Sequence, residues 1–316
     1  METTLAIVGP TATGKTELAI EIAEQIGGEI INADALQVYR GFDIGTAKPS
    51  KQEQQRVPHH LIDIVEAEHR YSAGEFSKRG RKAIEEIRGR GKQPIVVGGS
   101  GLYIRSLFEG LSPVPPGDPE VHSRLRKKLE EEGLEALRKQ LKELDPVSAL
   151  RISSGDTQRI LRALEVALVT GRPLGEWIAD QPFGEQALPS TKICLTLPKS
   201  LLYDRIECRV QRMVDYGWVE EVRNLLASGV NPEAPAFQAI GYRQIVRFLN
   251  DETTLEVALG DTVQATKRFA KRQNTWFRKE PGVQWVDALG VKGLGPDLMS
   301  MSFLNGFGGS NGEAQH

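Results

Sequence analysis

The chain has 316 residues, of which 40% are hydrophobic and 26% are charged, and its formal net charge is -2. This balance is typical of a globular protein that is long enough for two domains. No apolar stretch approaches the roughly 18 residues of a membrane-spanning helix, and no signal peptide is evident. Cys194 and Cys208 have neither metal-ligand spacing nor the density of a disulfide framework. We therefore expect a cytoplasmic protein without membrane contact.

The N-terminal segment carries a complete phosphate-binding loop, with the sequence Gly9-Pro10-Thr11-Ala12-Thr13-Gly14-Lys15-Thr16. The loop follows an apolar run at residues 5–8 and precedes a helical pattern that begins near Glu17. In this order of strand, loop and helix, backbone N–H groups and the lysine ammonium converge on phosphate oxygens, and the threonine hydroxyl can hold Mg²⁺. The segment therefore predicts a binding site for a di- or triphosphate.

The predicted elements alternate between strands and helices over the first hundred residues. Strands are predicted at residues 5–8, 29–32, 60–65 and 94–97, and helices at residues 16–26 and 73–88. A further strand at 192–197 precedes a helical stretch at 201–226. This order predicts an α/β fold, a P-loop NTPase-like core with a parallel sheet.

A helical segment interrupts the alternation after residue 112. Residues 112–119 are a Pro- and Gly-rich linker, and residues 120–145 and 157–169 carry apolar side chains at helical spacing. We therefore predict an all-helical insertion domain at 113–190 within a core formed by 1–112 and 191–298. Residues 299–316 are expected to be a disordered tail, because their Gly-, Ser- and Asn-containing end lacks apolar side chains to pack.

Two polar clusters follow the predicted strands at 29–32 and 94–97. Asp34 follows the first strand, and the turn Gly98-Gly99-Ser100-Gly101 follows the second. Because ligands bind where the carboxyl ends of parallel strands meet, we expect both clusters beside the phosphate-binding loop. Asp34 could act as a general base, or it could cap a helix or assist Mg²⁺ binding. The Ser100 hydroxyl could bridge substrate atoms or cap a helix.

The C-terminal third of the chain concentrates basic side chains among aromatic ones. It contains Arg243, Arg247, Lys267, Arg268, Lys271, Arg272, Arg278 and Lys279, interleaved with Phe269, Trp276 and Phe277. Such a surface could hold a nucleic-acid backbone. Acidic residues at 251, 252, 256 and 261 leave a solvated helix surface as an equal alternative.

Several ordered motifs resemble the bacterial tRNA dimethylallyltransferase family, also called the tRNA isopentenyltransferases. The resemblance runs from residue 5 to residue 286. Its motifs are the loop 9–16, the runs 34–49, 58–63, 71–73, 98–103 and 239–244, Asp156 with Gln158-Arg159, and Lys271-Arg272-Gln273 leading to Trp276-Phe277-Arg278. The resemblance implies transfer of a dimethylallyl group from its diphosphate to the exocyclic amine of the adenosine on the 3′ side of the anticodon in tRNA. It also implies that the insertion domain at 113–190 faces the tRNA and that the C-terminal helices within 191–298 carry a basic, tRNA-binding face.

The resemblance also implies roles for individual residues. Asp34 is the implied general base, with Ser100 and Lys15 as further catalytic residues and Thr16 holding Mg²⁺. The diphosphate-binding residues are Gly9, Pro10, Thr11, Ala12, Thr13, Gly14, Lys15 and Thr16, with Arg209, one helical turn from Arg205, as a further candidate. The implied tRNA-binding residues are Asp34, Ala35, Leu36, Gln37, Ser100, His122, Gln158, Arg159, Ile160, Leu161, Arg162, Gln238, Ala239, Ile240, Gly241, Tyr242, Arg243, Lys271, Arg272, Gln273, Asn274, Thr275, Trp276, Phe277 and Arg278.

Three positions depart from the usual residues of the family. Ser100 stands where a threonine is usual and keeps the hydroxyl, whereas Ala35 stands where a serine is common. His122 stands where relatives can carry an arginine, and an exposed helix histidine without a binding role is an equal alternative.

The expected partners are tRNA, through its anticodon loop, and dimethylallyl diphosphate, with Mg²⁺ as the cofactor. We expect a monomer with no obligate protein partner. Three alternative functions stay open: an ATP-dependent small-molecule kinase, a prenyltransferase acting on free adenine nucleotides, and a non-catalytic RNA-binding switch. A kinase leaves the run 34–49 unexplained, free nucleotides do not require the insertion, and a guanine-reading Asn-Lys-x-Asp motif is missing from the sequence.

Overall fold

A computed structural model describes residues 2–111, 114–180, 187–291 and 304. The chain folds into two compact units. The first comprises Met1–Phe108 with Leu188–His316, and the second comprises Glu109–Ala187. The predicted tail at 299–316 lies outside the described residues, apart from Leu304.

Strands and helices alternate in the first unit, and helices form the second. The strands are β1 (Thr4–Val8), β2 (Gly28–Asn32), β3 (His59–His60), β4 (Gln93–Gly98), β5 (Ser190–Thr196) and β6 (Val283–Asp287). The helices are α1 (Lys15–Ile26), α2 (Lys51–Arg56), α3 (Ala73–Gly89), α4 (Gly101–Glu109), α5 (Pro119–Leu144), α6 (Pro146–Arg151), α7 (Thr157–Thr170), α8 (Leu174–Asp180), α9 (Lys199–Asp215), α10 (Trp218–Ala227), α11 (Tyr242–Leu249), α12 (Leu255–Phe277) and α13 (Ala288–Val291). A short 3₁₀ helix spans Pro235–Gln238.

The strands form one parallel sheet in the order β3-β2-β4-β1-β5-β6. Every residue of β1 and β2 is buried, as expected for a parallel sheet that helices cover on both faces. The predicted α/β class with a parallel sheet is confirmed. Because β4 lies between β2 and β1, the carboxyl ends of these three strands are neighbours.

The third strand is much shorter than predicted. The sequence predicts a strand over 60–65, but paired strand structure ends at His60. Leu61 and Asp63 have φ angles of 63° and 53°, and this left-handed conformation turns the chain away from an extended path. Val65 rejoins the sheet region only through an isolated parallel bridge to Tyr39.

Two glycines interrupt helical stretches that the sequence predicts as continuous. Gly217, with φ 92°, caps α10 and separates it from α9 within 201–226. Gly133, with φ 78° and ψ 174°, introduces a kink into α5 within 120–145. Glycine adopts such angles without the steric cost that a Cβ atom imposes.

The second unit has its own core. Leu125, Leu137 and Leu141 of α5 pack with Ile160 and Leu164 of α7. Helix α5 begins where Asp118 accepts hydrogen bonds from two N–H groups of the first turn, each at 2.9 Å. This carboxylate cap satisfies N–H groups that have no partner within the helix.

The boundaries of the second unit differ by a few residues from the predicted insertion at 113–190. Its last residue is Ala187. Leu188 already donates a backbone hydrogen bond to Phe108 at 2.7 Å, and Ser190 begins β5. Residues 188–190 therefore belong with the sheet. None of the helices in the described ranges is both long and apolar enough to cross a membrane.

Candidate active site at the carboxyl edge of the sheet

A cavity of about 500 Å³ opens where β1, β2 and β4 end. Each of these strands leads directly into a polar segment that the sequence singled out. The predicted site residues that line the cavity are Thr11, Ala12, Gly14, Lys15, Thr16, Asp34, Leu36, Gln37, Arg209, Ile240 and Gln273. The structure thus brings the phosphate-binding loop (residues 9–16) and Asp34 together. Ser100 follows the lining residue Gly99 without itself lining the cavity.

Backbone conformation shapes the phosphate-binding loop. Gly9 has φ 134°, and a Cβ atom there would lie 2.7 Å from the carbonyl oxygen of Leu195. Ala12 and Gly14 have left-handed φ angles of 65° and 92°. The Thr13 hydroxyl donates to the Pro10 carbonyl at 2.9 Å and closes the loop on itself. A loop of this kind before a helix N-terminus presents backbone N–H groups to anions.

Two cationic side chains flank the loop. The Lys15 ammonium group donates a hydrogen bond to the carbonyl oxygen of Pro10 at 2.5 Å. The pKa of Lys15 is lowered from 10.5 to about 8, mainly by burial and then by the neighbouring positive charge of Arg209, while the negative charge of Asp34 opposes the shift. Burial also lowers the pKa of Arg209, whose Nη1 lies 3.4 Å from the Thr11 hydroxyl. Crowded, partly desolvated cations favour an anionic ligand.

Asp34 and Ser100 are joined through the turn that follows β2. One carboxylate oxygen of Asp34 accepts the N–H of Leu36 at 2.9 Å, and the Ser100 hydroxyl accepts the N–H of Ala35 at 3.1 Å. Asp34 therefore caps a turn and not a helix, because the next helix begins only at Lys51. These two bonds hold the carboxylate and the hydroxyl on adjoining backbone segments.

Close approach of the β2 and β4 ends requires glycine. A Cβ atom on Gly98 would lie 2.2 Å from the carbonyl oxygen of Ala33. The N–H of Ser100 also donates to that carbonyl oxygen, at 3.3 Å. The serine turn (residues 98–101) therefore packs directly against the segment that carries Asp34.

The polar run at 34–49 is anchored by the buried side chains of Gln37 and Tyr242 and by the half-buried side chain of Glu221. Gln37 donates to the carbonyl oxygens of Thr46 and Ala47 at 3.1 and 3.0 Å. Glu221 accepts the Tyr242 hydroxyl at 2.5 Å and also accepts backbone N–H groups of this run. Burial, together with the Glu221 charge, raises the pKa of Tyr242, so the phenol stays protonated and donates. The run is a preformed wall of the cavity.

Several predicted tRNA-binding side chains are buried instead. Ile160 and Leu161 belong to the core of the second unit, and Ala239, Tyr242 and Phe277 belong to that of the first. In this conformation these five side chains pack within the protein and are not available to tRNA. The backbone of Gly241 is likewise buried.

The remaining predicted tRNA-binding residues reach the surface to different extents. The exposed ones are Gln158, Arg159, Gln238, Arg243, Lys271, Arg272, Thr275 and Arg278. The half-buried ones are Asp34, Ala35, Leu36, Ser100, His122, Arg162, Ile240, Asn274 and Trp276, and the buried Gln37 and Gln273 reach only the cavity.

Within the second unit, His122 and Arg162 share a buried carboxylate. Arg162 donates to Glu165 at 2.9 Å, and the His122 Nδ1 lies 3.8 Å from the same carboxylate. His122 is therefore a half-buried residue beside a carboxylate, in contrast to the exposed histidine that the sequence left open as an alternative.

The two arginines predicted on one face of α9 separate in the structure. Arg209 lines the main cavity, whereas Arg205 lines a separate cavity of about 30 Å³ together with Glu17 and Glu21. Arg212 and Phe269 also line the main cavity, although the sequence did not single them out for this site. Neither follows a strand end, so only the packing of α9 and α12 reveals them.

Comparisons with known proteins agree with this arrangement. The model of a family described as IPP transferase matches residues 37–280. The tRNA dimethylallyltransferase of Geobacter metallireducens is 48% identical over 287 residues, which cover 90% of this chain and 93% of that protein. The structure of a tRNA isopentenylpyrophosphate transferase from Bacillus halodurans has a TM-score of 0.66 at 37% identity, with 91% of this chain and 90% of that one covered.

A eukaryotic dimethylallyltransferase solved while acting on tRNA has a TM-score of 0.82 at 27% identity, with 97% of this chain and 79% of that one covered. The family match spans more than half of the chain, and the identity to a full-length relative is high over nearly all of it. The chain therefore belongs to the IPP transferase family.

Proposed function

We propose that this protein transfers a dimethylallyl group from dimethylallyl diphosphate to the exocyclic N6 amine of the adenosine on the 3′ side of the anticodon in tRNA, with release of diphosphate. The observation that carries the proposal is a single cavity lined by a phosphate-binding loop, by Lys15 and Arg209, and by the carboxylate of Asp34. The names of the relatives, which are tRNA dimethylallyltransferases, support the choice of tRNA as the acceptor.

The cationic side of the cavity suits a departing diphosphate. As the bond between the allylic carbon and the diphosphate oxygen breaks, negative charge grows on the leaving group. Loop N–H groups, Lys15 and Arg209 would stabilise that charge in a partly desolvated site, where electrostatic interactions are stronger than in water. Burial lowers the pKa of Lys15, and a bound anion would favour its charged form again.

The donor set at this edge fits Mg²⁺. Thr16, which carries a hydroxyl group, and Asp34, which carries a carboxylate, both line the cavity. Mg²⁺ prefers oxygen ligands of these kinds and retains several waters. Thr16, which occupies the threonine position of the phosphate-binding loop, would hold the ion together with the diphosphate. When bound, Mg²⁺ supplies positive charge to the leaving group.

The carboxylate side of the cavity suits the amine. The exocyclic amine of adenosine is a weak nucleophile because its lone pair is delocalised into the ring. Asp34 would accept the amine proton as the new carbon–nitrogen bond forms. The Leu36 N–H holds one oxygen of this carboxylate in place. To reach Asp34, the base must leave its stack and enter the cavity.

Each unit, taken by itself, has exposed side chains that would contact the RNA. Lys271, Arg272 and Arg278 are exposed on or directly after α12, and Gln158 with Arg159 is exposed at the start of α7. Cationic side chains of this kind bind RNA mainly through backbone phosphates.

A transfer assay with a matched acceptor pair tests the proposal. The protein is incubated with ¹⁴C-labelled dimethylallyl diphosphate, Mg²⁺ and an unmodified tRNA, or the same tRNA with guanosine in place of the adenosine next to the anticodon. We expect label in the first tRNA and none in the second. Two further incubations replace the tRNA with free adenosine monophosphate or add ATP. Labelling of adenosine monophosphate as fast as labelling of tRNA would favour prenylation of nucleotides. Turnover of ATP without any labelled product would favour a kinase.

A further inference from the structure

A buried glutamine side chain connects the two ligand-binding turns of the first unit. Gln273 on α12 is only 6% exposed. Its Oε1 accepts the N–H of Thr11 in the phosphate-binding loop at 2.9 Å, and its Nε2 donates to the carbonyl oxygen of Gly99 in the serine turn at 3.0 Å. Both ends of one planar amide are therefore engaged, one with each segment.

The serine turn is shaped to receive this amide. A Cβ atom on Gly99 would lie 2.1 Å from the Nε2 of Gln273 and 3.2 Å from the carbonyl oxygen of Gly9. No side chain fits at position 99 while Gln273 keeps its place. The close contact also shows that the start of the phosphate-binding loop, the serine turn and the glutamine meet at one point.

This contact changes two expectations from the sequence. The N–H of Thr11 is already bound by Gln273, so the diphosphate would be held by other N–H groups of the loop. Gln273 itself was predicted to contact tRNA, but its side chain is buried and both amide ends bind the protein. The glutamine therefore belongs to the framework of the cavity.

Helix α12 presents a continuous face to these segments. Thr262, Thr266, Phe269 and Gln273 all line the cavity, and their spacing of four, three and four residues follows one side of a helix. One turn further on, Trp276 fills the space beside Gly101, where a Cβ atom would lie 2.3 Å from the indole ring. The helix is thus packed against both ends of the serine turn.

We propose that Gln273 is a positioning residue, which fixes the separation between the phosphate-binding loop and the serine turn during the transfer reaction. This inference rests on the function proposed above. The loop holds the departing diphosphate, and the serine turn is bonded through Ser100 to the segment that carries Asp34. Gln273 therefore aligns the allylic carbon with the base and its acceptor. Reacting atoms must come within about 3–3.5 Å, and a misplacement of about 1 Å can slow a reaction about 100-fold.

Two substitutions and one control separate positioning from general stability. Gln273→Met keeps the length and apolar stem but removes both hydrogen bonds. Gln273→Glu keeps an acceptor for Thr11 but, when ionised, has no proton to donate to Gly99. Gln264→Met makes the same chemical change at an exposed position of the same helix. Steady-state kcat and KM for each substrate are measured well below the thermal midpoint of each variant.

We expect Gln273→Met to lower kcat by about 100-fold, with KM for tRNA and the affinity for inorganic diphosphate within threefold of the parent protein. Gln264→Met should match the parent. For Gln273→Glu, the ratio of its kcat to that of the parent should rise as the pH falls, because a protonated carboxyl group can donate to Gly99 as the amide does. A merely structural loss would not produce this pH-dependent rescue.

Either of two results would overturn the positioning role. One is a kcat of Gln273→Met within twofold of the parent. The other is a raised KM for the prenyl donor at unchanged kcat, because that pattern indicates the loss of an interaction that is equally strong in the ground state and in the transition state. If the parent protein itself transfers no prenyl group to tRNA, the proposed function fails before the variants are compared, so the two failures are distinguishable.

Discussion

At the scale of single residues, the site depends on how neighbours hold each reactive group. The Leu36 N–H binds one carboxylate oxygen of Asp34, and the adjacent Ala35 N–H binds the Ser100 hydroxyl. Replacing Asp34 with asparagine keeps an oxygen for Leu36 and nearly the same shape, but removes the proton acceptor. The substitution therefore tests basicity without disturbing the turn.

We expect Asp34→Asn to lower the rate of prenyl transfer by about 10²- to 10⁴-fold, while its thermal midpoint and tRNA affinity stay close to those of the parent. Single-turnover kinetics with saturating tRNA measure the effect. Asp261→Asn, at an exposed position of α12, serves as the control and should leave the rate unchanged. A near-parental rate for Asp34→Asn would assign the base to another group.

The lowered pKa of Lys15 predicts a cost in stability for the ligand-free protein. Between about pH 8 and 10.5 the unfolded chain binds this proton and the folded chain does not, so stability rises as the pH increases through that window. Below pH 8 the folded protein carries the full penalty of a buried cation. Lys15→Met removes that penalty together with the ligand contact.

We expect Lys15→Met to have a higher thermal midpoint than the parent at pH 7 and to lose measurable binding of inorganic diphosphate. The difference in midpoint should shrink toward pH 10, where the parent lysine is neutral. Thermal melts across this range measure it, with the exposed Lys271→Met as the control. A midpoint below that of the parent at pH 7 would show that Lys15 stabilises the empty loop.

Site residues that directly follow a strand were predictable from the sequence. Site residues on helices that are distant along the chain were not. The loop 9–16, Asp34 and Ser100 each follow a short apolar run, so the rule for parallel sheets places them at one edge. Gln273 is 262 residues from Thr11 and 174 residues from Gly99 along the chain. Only the packing of α12 against the sheet reveals that connection.

At the scale of elements, hydrophobic periodicity located the strands and helices but missed their interruptions. The predicted strand at 60–65 does not form over its full length because Leu61 and Asp63 adopt left-handed backbone angles. Residues other than glycine rarely adopt such angles, so the sequence does not predict them. The kink in α5 depends on Gly133, whose φ of 78° and ψ of 174° are nearly restricted to glycine. Gly260, within the regular helix α12, faces open space and needs no such freedom.

The same substitution should therefore have opposite effects at these two glycines. Gly133→Ala should lower the free energy of unfolding by about 1–3 kcal/mol because alanine is strained at those angles. Gly260→Ala should raise it by about 1 kcal/mol because alanine favours a helix interior. Urea denaturation measures both changes. Equal effects of the same sign would contradict the assigned kink.

At the scale of the whole molecule, a net charge of -2 conceals an uneven surface. The C-terminal end of α12 exposes three basic residues, Lys271, Arg272 and Arg278. Many basic residues elsewhere form ion pairs with carboxylates, as Arg223 does with Glu220 on α10. If the end of α12 contacts tRNA phosphates, binding must weaken as salt rises, because counterions released on binding become more concentrated in solution.

We expect Arg278→Ala to weaken tRNA binding and to reduce the slope of log affinity against log salt by about 1 in magnitude. Filter binding or anisotropy at several salt concentrations measures the slope. Arg223→Ala, which removes a residue already paired with a carboxylate, should leave the slope unchanged. An unaltered slope for Arg278→Ala would remove this residue from the phosphate contacts.

In the reaction that we propose, the phosphate-binding loop holds a leaving group and takes no part in phosphoryl transfer. The most direct test uses dimethylallyl diphosphate labelled with ¹⁴C in the prenyl group and ³²P in both phosphates, together with Mg²⁺ and unmodified tRNA. We predict that ¹⁴C enters the adenosine next to the anticodon while all ³²P released by the reaction appears as inorganic diphosphate, in equal amount. Transfer of ³²P to RNA, or its release as orthophosphate without ¹⁴C-labelled tRNA, would contradict the claim.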